Sequence, residues 1–256
     1  MRRLSVALTC ALLWALSSCS PHAAESTGRD DPWIRGRLAD FPQSKTGAAS
    51  QAFAAGLHPV FEDEPDGAWV YAPSSAQNTR APLLLLLHGA GGSGARFIRR
   101  FTDLADKNGT ILVAPKSVGT TWDAMNGPIG VDVEKIDRML SKISSGYTID
   151  PTRISVVGFS DGATYALELG RLNGTFFRNI VAFSPGILVP VSPRGSPPIF
   201  ISHGTSDTIL PIDITSRRFV PELKKQGYSV EYHEFDGPHT VPPEMAELAM
   251  RWIAAH

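Results

Sequence analysis

The chain has 256 residues, enough for one large domain with a sizeable core or for two small ones, and a single domain is the simpler reading. Hydrophobic residues make up 43% and charged residues 19%, a globular balance that excludes a disordered, collagenous or polytopic membrane chain. The formal net charge of −1 gives no electrostatic basis for a nucleic-acid partner, and two cysteines, Cys10 and Cys19, supply neither a disulfide framework nor a cysteine-built zinc site.

Met1, Arg2 and Arg3 precede an apolar stretch, residues 4–16, that is too short to cross a bilayer as a mature helix but suits the central region of a signal peptide. Export is therefore expected. Next comes Leu16-Ser17-Ser18-Cys19, which resembles the lipobox of bacterial lipoproteins, where the cysteine is acylated and becomes the new N-terminus. The alternative is a plain secretory signal with Cys19 incidental. Two or three acyl chains on Cys19 make a firm membrane anchor, and Ser20 fits outer-membrane sorting if the host is Gram-negative. Residues 1–18 carry two arginines and no acid, so their removal leaves 238 residues at formal charge −3. Residues 19–35 are expected to form a tether, because the stretch from Ser20 to Pro32 is polar and without helical or strand periodicity. The folded domain is expected over 36–256; nothing in the sequence fixes an oligomeric state.

Along the domain, residues 37–41, 58–62 and 69–72 are read as antiparallel strands at one sheet edge. Further strands are expected at 68–72, 82–87, 110–114, 153–157, 180–183, 198–202 and 229–234, short apolar or β-branched runs bounded by Gly, Pro or Asp. Helices are expected at 96–107, 131–144, 163–172, 214–226 and 243–255, where apolar residues recur three or four apart, as Val133, Ile136, Met139, Leu140 and Ile143 do. Strands alternating with helices imply an α/β fold with a mostly parallel sheet covered on both faces. In such a sheet ligands gather at the carboxyl ends of the strands.

After the strand at 153–157 comes Gly158-Phe159-Ser160-Asp161-Gly162 and then a helical run, which places G-x-S-x-G in a strand-turn-helix context. A sharp turn there lifts the Ser160 hydroxyl out of the sheet and aims the N–H groups of the following helix at any negative charge forming beside it. A Ser that only caps a helix is the competing explanation. A serine hydroxyl needs a base and a group that orients the base. Asp207 follows the strand at 198–202, 47 residues after Ser160, and His239 follows the strand at 229–234, a further 32 residues on, giving the order Ser, acid, His. Asp236 and Asp213 are rival acids: the first lies in a tight Gly-Pro turn three residues before His239, the second sits where a helix cap is expected. His203 and His88 each follow a buried strand and are read as structural, His88 with a smaller chance of direct chemistry. No histidine and carboxylate pair has zincin spacing, so no metal is expected.

His88-Gly89-Ala90-Gly91-Gly92-Ser93-Gly94 contains G-x-G-x-x-G, but the next strand ends at Pro115-Lys116 with no carboxylate to hold a ribose, and no Lys-Ser/Thr pair follows. The loop is instead read as an oxyanion hole, with the backbone N–H of Ala90 as one donor and that of Asp161 as the other.

Together the segments 86–92, 158–163, 203–207 and 237–239 resemble the α/β-hydrolase superfamily, and within it the phospholipase/carboxylesterase and dienelactone-hydrolase-like group, with similarity also to polyhydroxybutyrate-depolymerase-like esterases. The similarity runs from about Trp69 to Trp252. It implies Ser160 as nucleophile, His239 as general base, Asp207 as its orienting partner, no cofactor, and a small-molecule or lipid-like ester as substrate. Pro238 departs from the pattern, where the family more often has Gly. The short interval between Ser160 and Asp207 leaves no room for a large cap domain, so an open site is expected. Trp122, Phe159, Met125 and Ile209 are candidates for substrate contact or for ordinary packing under a loop. The expected activity is that of a serine esterase. The alternatives are acyl transfer, thioester or peptide cleavage by the same triad, or a non-catalytic cell-envelope binding lipoprotein.

Overall fold

Every residue of Ala81–Leu87 is apolar and every one is buried, as in a strand covered on both faces. In the computed structural model, which describes residues 33–39, 53–64, 66–77, 79–125 and 129–256, that segment is the third of eight strands. They are β1 (Gly56–Pro59), β2 (Ala68–Ala72), β3 (Ala81–Leu87), β4 (Ile111–Pro115), β5 (Ile149–Phe159), β6 (Asn179–Phe183), β7 (Ile199–Gly204) and β8 (Val230–Phe235). Their order in the sheet is β1-β2-β4-β3-β5-β6-β7-β8. β2 pairs antiparallel with both β1 and β4, and every pairing from β4 to β8 is parallel. The helices are α1 (Gly94–Ile98), α2 (Thr102–Asn108), α3 (Val131–Gly146), α4 (Asp161–Leu172), α5 (Ser216–Lys225) and α6 (Pro243–Ala255).

Because side chains alternate across a strand, the leucines of β3 divide between two cores. Leu83, Leu85 and Leu87 join Val133, Ile136, Met139 and Ile143 of α3 and Ala163, Ala166 and Leu169 of α4. Leu84 and Leu86 join Phe97 and Ile98 of α1, Ala105 of α2 and Ala246, Ala249 and Met250 of α6. The sheet is thus clothed on both faces, and the register Leu87↔Gly158 brings the carboxyl ends of β3 and β5 side by side. The chain leaves β3 for β4 on one side and reaches β5 on the other, so this is the crevice where the strand order reverses.

Three expectations need correction. The helix expected over 96–107 is broken into α1, ending at Ile98, and α2, starting at Thr102; between them Phe101 packs its ring against Phe97, at 5.4 Å, and Phe183, at 6.4 Å, inside the core. Residues 37–39 form no strand; the Arg37 guanidinium donates to the Leu172 and Ser192 carbonyls and pins the segment to the end of α4. The edge strand expected at 58–62 is Gly56–Pro59, ending at a proline that cannot donate to the ladder. Trp33 packs against the core of the sheet. The signal segment, Cys19 and most of the tether lie outside the described residues.

Candidate active site

β5 ends at Phe159, and the next residue, Ser160, takes φ 57° and ψ −123°, a left-handed conformation that a side chain rarely adopts. It is held there from both sides. Its N–H donates to the Phe183 carbonyl at 2.9 Å, and its own carbonyl accepts from Ala163 and Thr164 at 2.9 and 3.0 Å as α4 begins. The turn is tight enough that Gly158 and Gly162 have no room for a Cβ: one on Gly158 would lie 1.9 Å from the Gly162 carbonyl oxygen, and one on Gly162 would lie 2.0 Å from that of Leu87. Those two glycines are a steric requirement of the turn.

The hydroxyl raised by this turn meets His239, whose Nε2 lies 2.9 Å from Ser160 Oγ. The other ring nitrogen, Nδ1, is 2.6 Å from Asp207 Oδ2. The Asp207 side chain is fully enclosed and all its acceptor capacity is used. Oδ1 accepts from the N–H groups of Ile209 and Leu210 at 2.9 and 2.8 Å, and Oδ2 takes His239 and, at 3.1 Å, His203 Nε2. Burial pushes this carboxyl's pKa up, but the Leu210 N–H, His239 and the Ile209 N–H outweigh it and hold the group below its ordinary value, ionised as an acceptor. The rival acids stand elsewhere: Asp213 is exposed and pairs with Arg217 at 2.6 Å, and Asp236 is exposed.

The glycine loop after β3 flanks the serine so closely that a Cβ on Gly89 would lie 3.1 Å from Ser160 Cβ. Gly91 N–H donates to Thr120 O and Gly92 N–H to Gly89 O, whereas the exposed Ala90 makes no hydrogen bond through its N–H among the described residues. Asp161 is the first residue of α4, so its N–H has no intrahelical acceptor. The Asp161 carboxylate accepts from Thr121 Oγ1 at 2.6 Å, which ties the loop after β4 to the start of α4. His88 shapes this region through its ring, which bridges two backbone groups. Its Nε2 accepts from Ser117 N–H at 3.1 Å, Nδ1 donates to Gly89 O at 2.7 Å, and burial holds its pKa down, so the ring is neutral.

Trp122 is not a substrate contact. It is fully buried, stacks on Tyr165 with centroids 5.0 Å apart, and donates from Nε1 to the His88 carbonyl at 2.8 Å, behind the glycine loop. Phe159 is half-buried with its ring 4.8 Å from that of His239, and Ile209, two residues after Asp207, is 67% exposed. Among the described residues no group of three or more His, Cys, Asp or Glu side chains is arranged to hold a metal ion.

Residues 72–256 match the model of the phospholipase/carboxylesterase family, with the turn, the glycine loop and all three residues of the Ser160-His239-Asp207 line inside the matched span. The chain belongs to that family. Among curated relatives, it is 27% identical over 143 residues to a putative esterase, NocK, of Nocardia uniformis subsp. tsuyamanensis, covering 52% of this chain and 42% of that protein. It is likewise 27% identical over 134 residues to a poly(3-hydroxybutyrate) depolymerase of Ralstonia pickettii, covering 44% and 27%. The chain thus spans less than half the length of these curated relatives. In fold it resembles a phospholipase/carboxylesterase from Dyadobacter fermentans DSM 18053, with a TM-score of 0.58 at 20% identity over 81% of this chain and 100% of that one.

Two features of this phospholipase/carboxylesterase relative escape sequence inspection. His203, expected only as a structural histidine, is fully buried against the same Asp207 oxygen that meets His239; its Nε2 also donates to Leu210 O at 2.8 Å and its Nδ1 meets Ser216 Oγ at 2.7 Å. It is a fixed neutral donor that positions the carboxylate, and its pKa is lowered by burial. The second is Glu168, two turns along α4 from Ser160, buried at 2% exposure with Oε2 unpaired among the described residues. Burial, and then the charge of Asp123, push its pKa up to about 7 against the opposing pull of Arg171.

Because the folded-state value lies above the unfolded value of 4.5, the folded protein binds this proton more tightly, and stability declines as pH rises from about 4.5 through 7. The loss is on the order of 3 kcal/mol once both states are ionised. Urea denaturation at pH 5 and pH 8.5 should show this slope, and Glu168→Gln should flatten it and be the more stable protein at pH 8.5. A slope unchanged by the substitution would assign it to other groups.

Proposed function

We propose that this protein hydrolyses carboxylic esters through an acyl-enzyme. The observation that carries the reading is the continuous line from Ser160 Oγ to His239 Nε2 at 2.9 Å and from His239 Nδ1 to Asp207 at 2.6 Å. In this mechanism Asp207 accepts from Nδ1–H and so leaves Nε2 with a free lone pair. Ser160 attacks the ester carbonyl as His239 takes its proton, and the Ala90 and Asp161 N–H groups bind the oxyanion of the tetrahedral intermediate. Each such donor is typically worth roughly 3–4 kcal/mol of barrier. His239 then returns the proton to the leaving alkoxide, and water, activated by the same imidazole, releases the acid and regenerates the serine.

The substrate in this reading is a small-molecule or lipid-like ester. Support comes from the half-buried Phe159, whose ring sets apolar surface beside His239. The esterase and depolymerase names of the relatives agree with this class. The protein is further proposed to be exported and held at the membrane through an acylated Cys19.

The test uses the chain lacking residues 1–18 with p-nitrophenyl butyrate and octanoate, together with a fluorophosphonate probe. Turnover of the esters and a probe adduct mapped to Ser160 by mass spectrometry are expected, both lost in Ser160→Ala. Ester turnover that survives Ser160→Ala defeats the mechanism. For the anchor, acyl labelling of the full chain should vanish in Cys19→Ala.

A further inference from the structure

A crevice of about 580 Å³ opens at the amino ends of β3, β5 and β6, roofed by the last turn of α6. Four residues of β5 stand between its Ser155 wall and Ser160, about 16 Å along the strand direction, so it lies at the opposite end of the sheet from the proposed chemistry. Its volume is within the usual range for small-molecule sites, about 300–1,000 Å³.

The lining has three chemical zones. Leu84 and Met250, at 1% and 4% exposure, and the half-buried Ile253 back the crevice with apolar side chains of the α6 face. Asn179 and Ser155 are buried polar residues at 2% and 1% exposure; Asn179 Nδ2 donates to Ser155 Oγ at 3.3 Å, while Asn179 Oδ1 makes no hydrogen bond among the described residues. Arg153 and Arg178 are exposed at the mouth. Arg178 spends Nε on the His256 main-chain oxygen at 2.9 Å, which fixes the guanidinium while its terminal nitrogens make no hydrogen bond or ion pair among the described residues. No acidic side chain lines the crevice; Asp150, the carboxylate that feels Arg153, stands outside it and lies 3.6 Å from Arg80.

An apolar wall beside two guanidinium groups, with no acidic side chain among the lining residues, suits a molecule with a hydrocarbon body and one anionic end, and a planar carboxylate matches the fork of an arginine. We propose that this crevice is a binding site for an amphipathic carboxylate, separate from the catalytic centre and independent of the ester-hydrolase reading. The hydrocarbon lies along Leu84, Met250 and Ile253, and the carboxylate sits between Arg153 and Arg178.

The test titrates decanoate calorimetrically into the chain bearing Ser160→Ala, so that turnover plays no part. Saturable binding at one site is expected, weakened about tenfold when Arg153→Ala and Arg178→Ala are combined. It should be abolished by Ala254→Trp, a substitution at an exposed lining residue that fills the crevice. Decylamine, with the same hydrocarbon and the opposite charge, should not bind. With Ser160 restored, the Ala254→Trp protein should hydrolyse esters and melt as the parent does, which separates loss of the crevice from loss of the fold. Absence of saturation by decanoate, equal binding by decylamine, or binding indifferent to both sets of substitutions overturns the proposal.

Discussion

Asp207→Asn is expected to lower kcat for ester hydrolysis by about 10⁴-fold while leaving the protein folded. The reason lies in how the carboxylate is anchored. Oδ1 accepts two backbone N–H groups, from Ile209 and Leu210, so a carboxamide at this position must place its oxygen there. Its NH₂ then faces His239 Nδ1. Two donors cannot share that contact, so Nδ1 becomes the acceptor, and the neutral ring carries its proton on Nε2, pointing at Ser160 Oγ, 2.9 Å away. The hydroxyl faces a proton where it needs a lone pair. Steady-state kinetics on p-nitrophenyl butyrate, with circular dichroism as the check on folding, measure the effect; a loss under about tenfold would mean that Asp207 does not set the tautomer.

Gly162→Ala is expected to disable the protein by a different route. The added Cβ would lie 2.0 Å from the Leu87 carbonyl oxygen and 2.5 Å from that of His88, and both are backbone atoms of the β3 end. Flexible side chains yield to such a contact; a strand buried on both faces does not. Relief requires α4 to move away from β3, which opens the crevice and withdraws Ser160 from His239. A destabilisation of about 3 kcal/mol or more follows, at the upper end for inserting one methyl group into a packed interior. Chemical denaturation of the purified variant measures it, and a stability within about 1 kcal/mol of the parent would show that the turn has slack.

Much of this site is legible in the chain because its signals are local. The Gly158-Phe159-Ser160-Asp161-Gly162 segment specifies its own turn, since the glycines stand where backbone passes backbone. The five leucines of β3 announce a strand with no solvent face. Other features are invisible for the same reason: they depend on what packs against them. For Trp122 the sequence leaves substrate contact and packing under a loop both open, and Tyr165, from a helix more than forty residues away, decides for packing by closing over it. Glu168 and Arg171 lie on a helix whose apolar spacing says nothing of a cover on its polar side, and α4 is buried on every side from Gly162 to Leu172. The helix expected over 96–107 is interrupted where Phe101 packs into the core, a contact that helical periodicity does not encode.

By itself, the order of residues along the chain determines that strands alternate with helices, that the sheet is mostly parallel, and that one serine, one aspartate and one histidine each follow a strand at its carboxyl end. Those are consequences of periodicity and of turn chemistry, which act over a few residues. Which acid meets the histidine, which partners the structural histidines take, and which aromatic is enclosed are decided only when segments up to 79 residues apart are brought within hydrogen-bonding distance. The physical reason is that hydrogen-bond partners and burial belong to a side chain's surroundings in space, and in a two-faced parallel sheet those surroundings come from crossover connections that no local pattern describes.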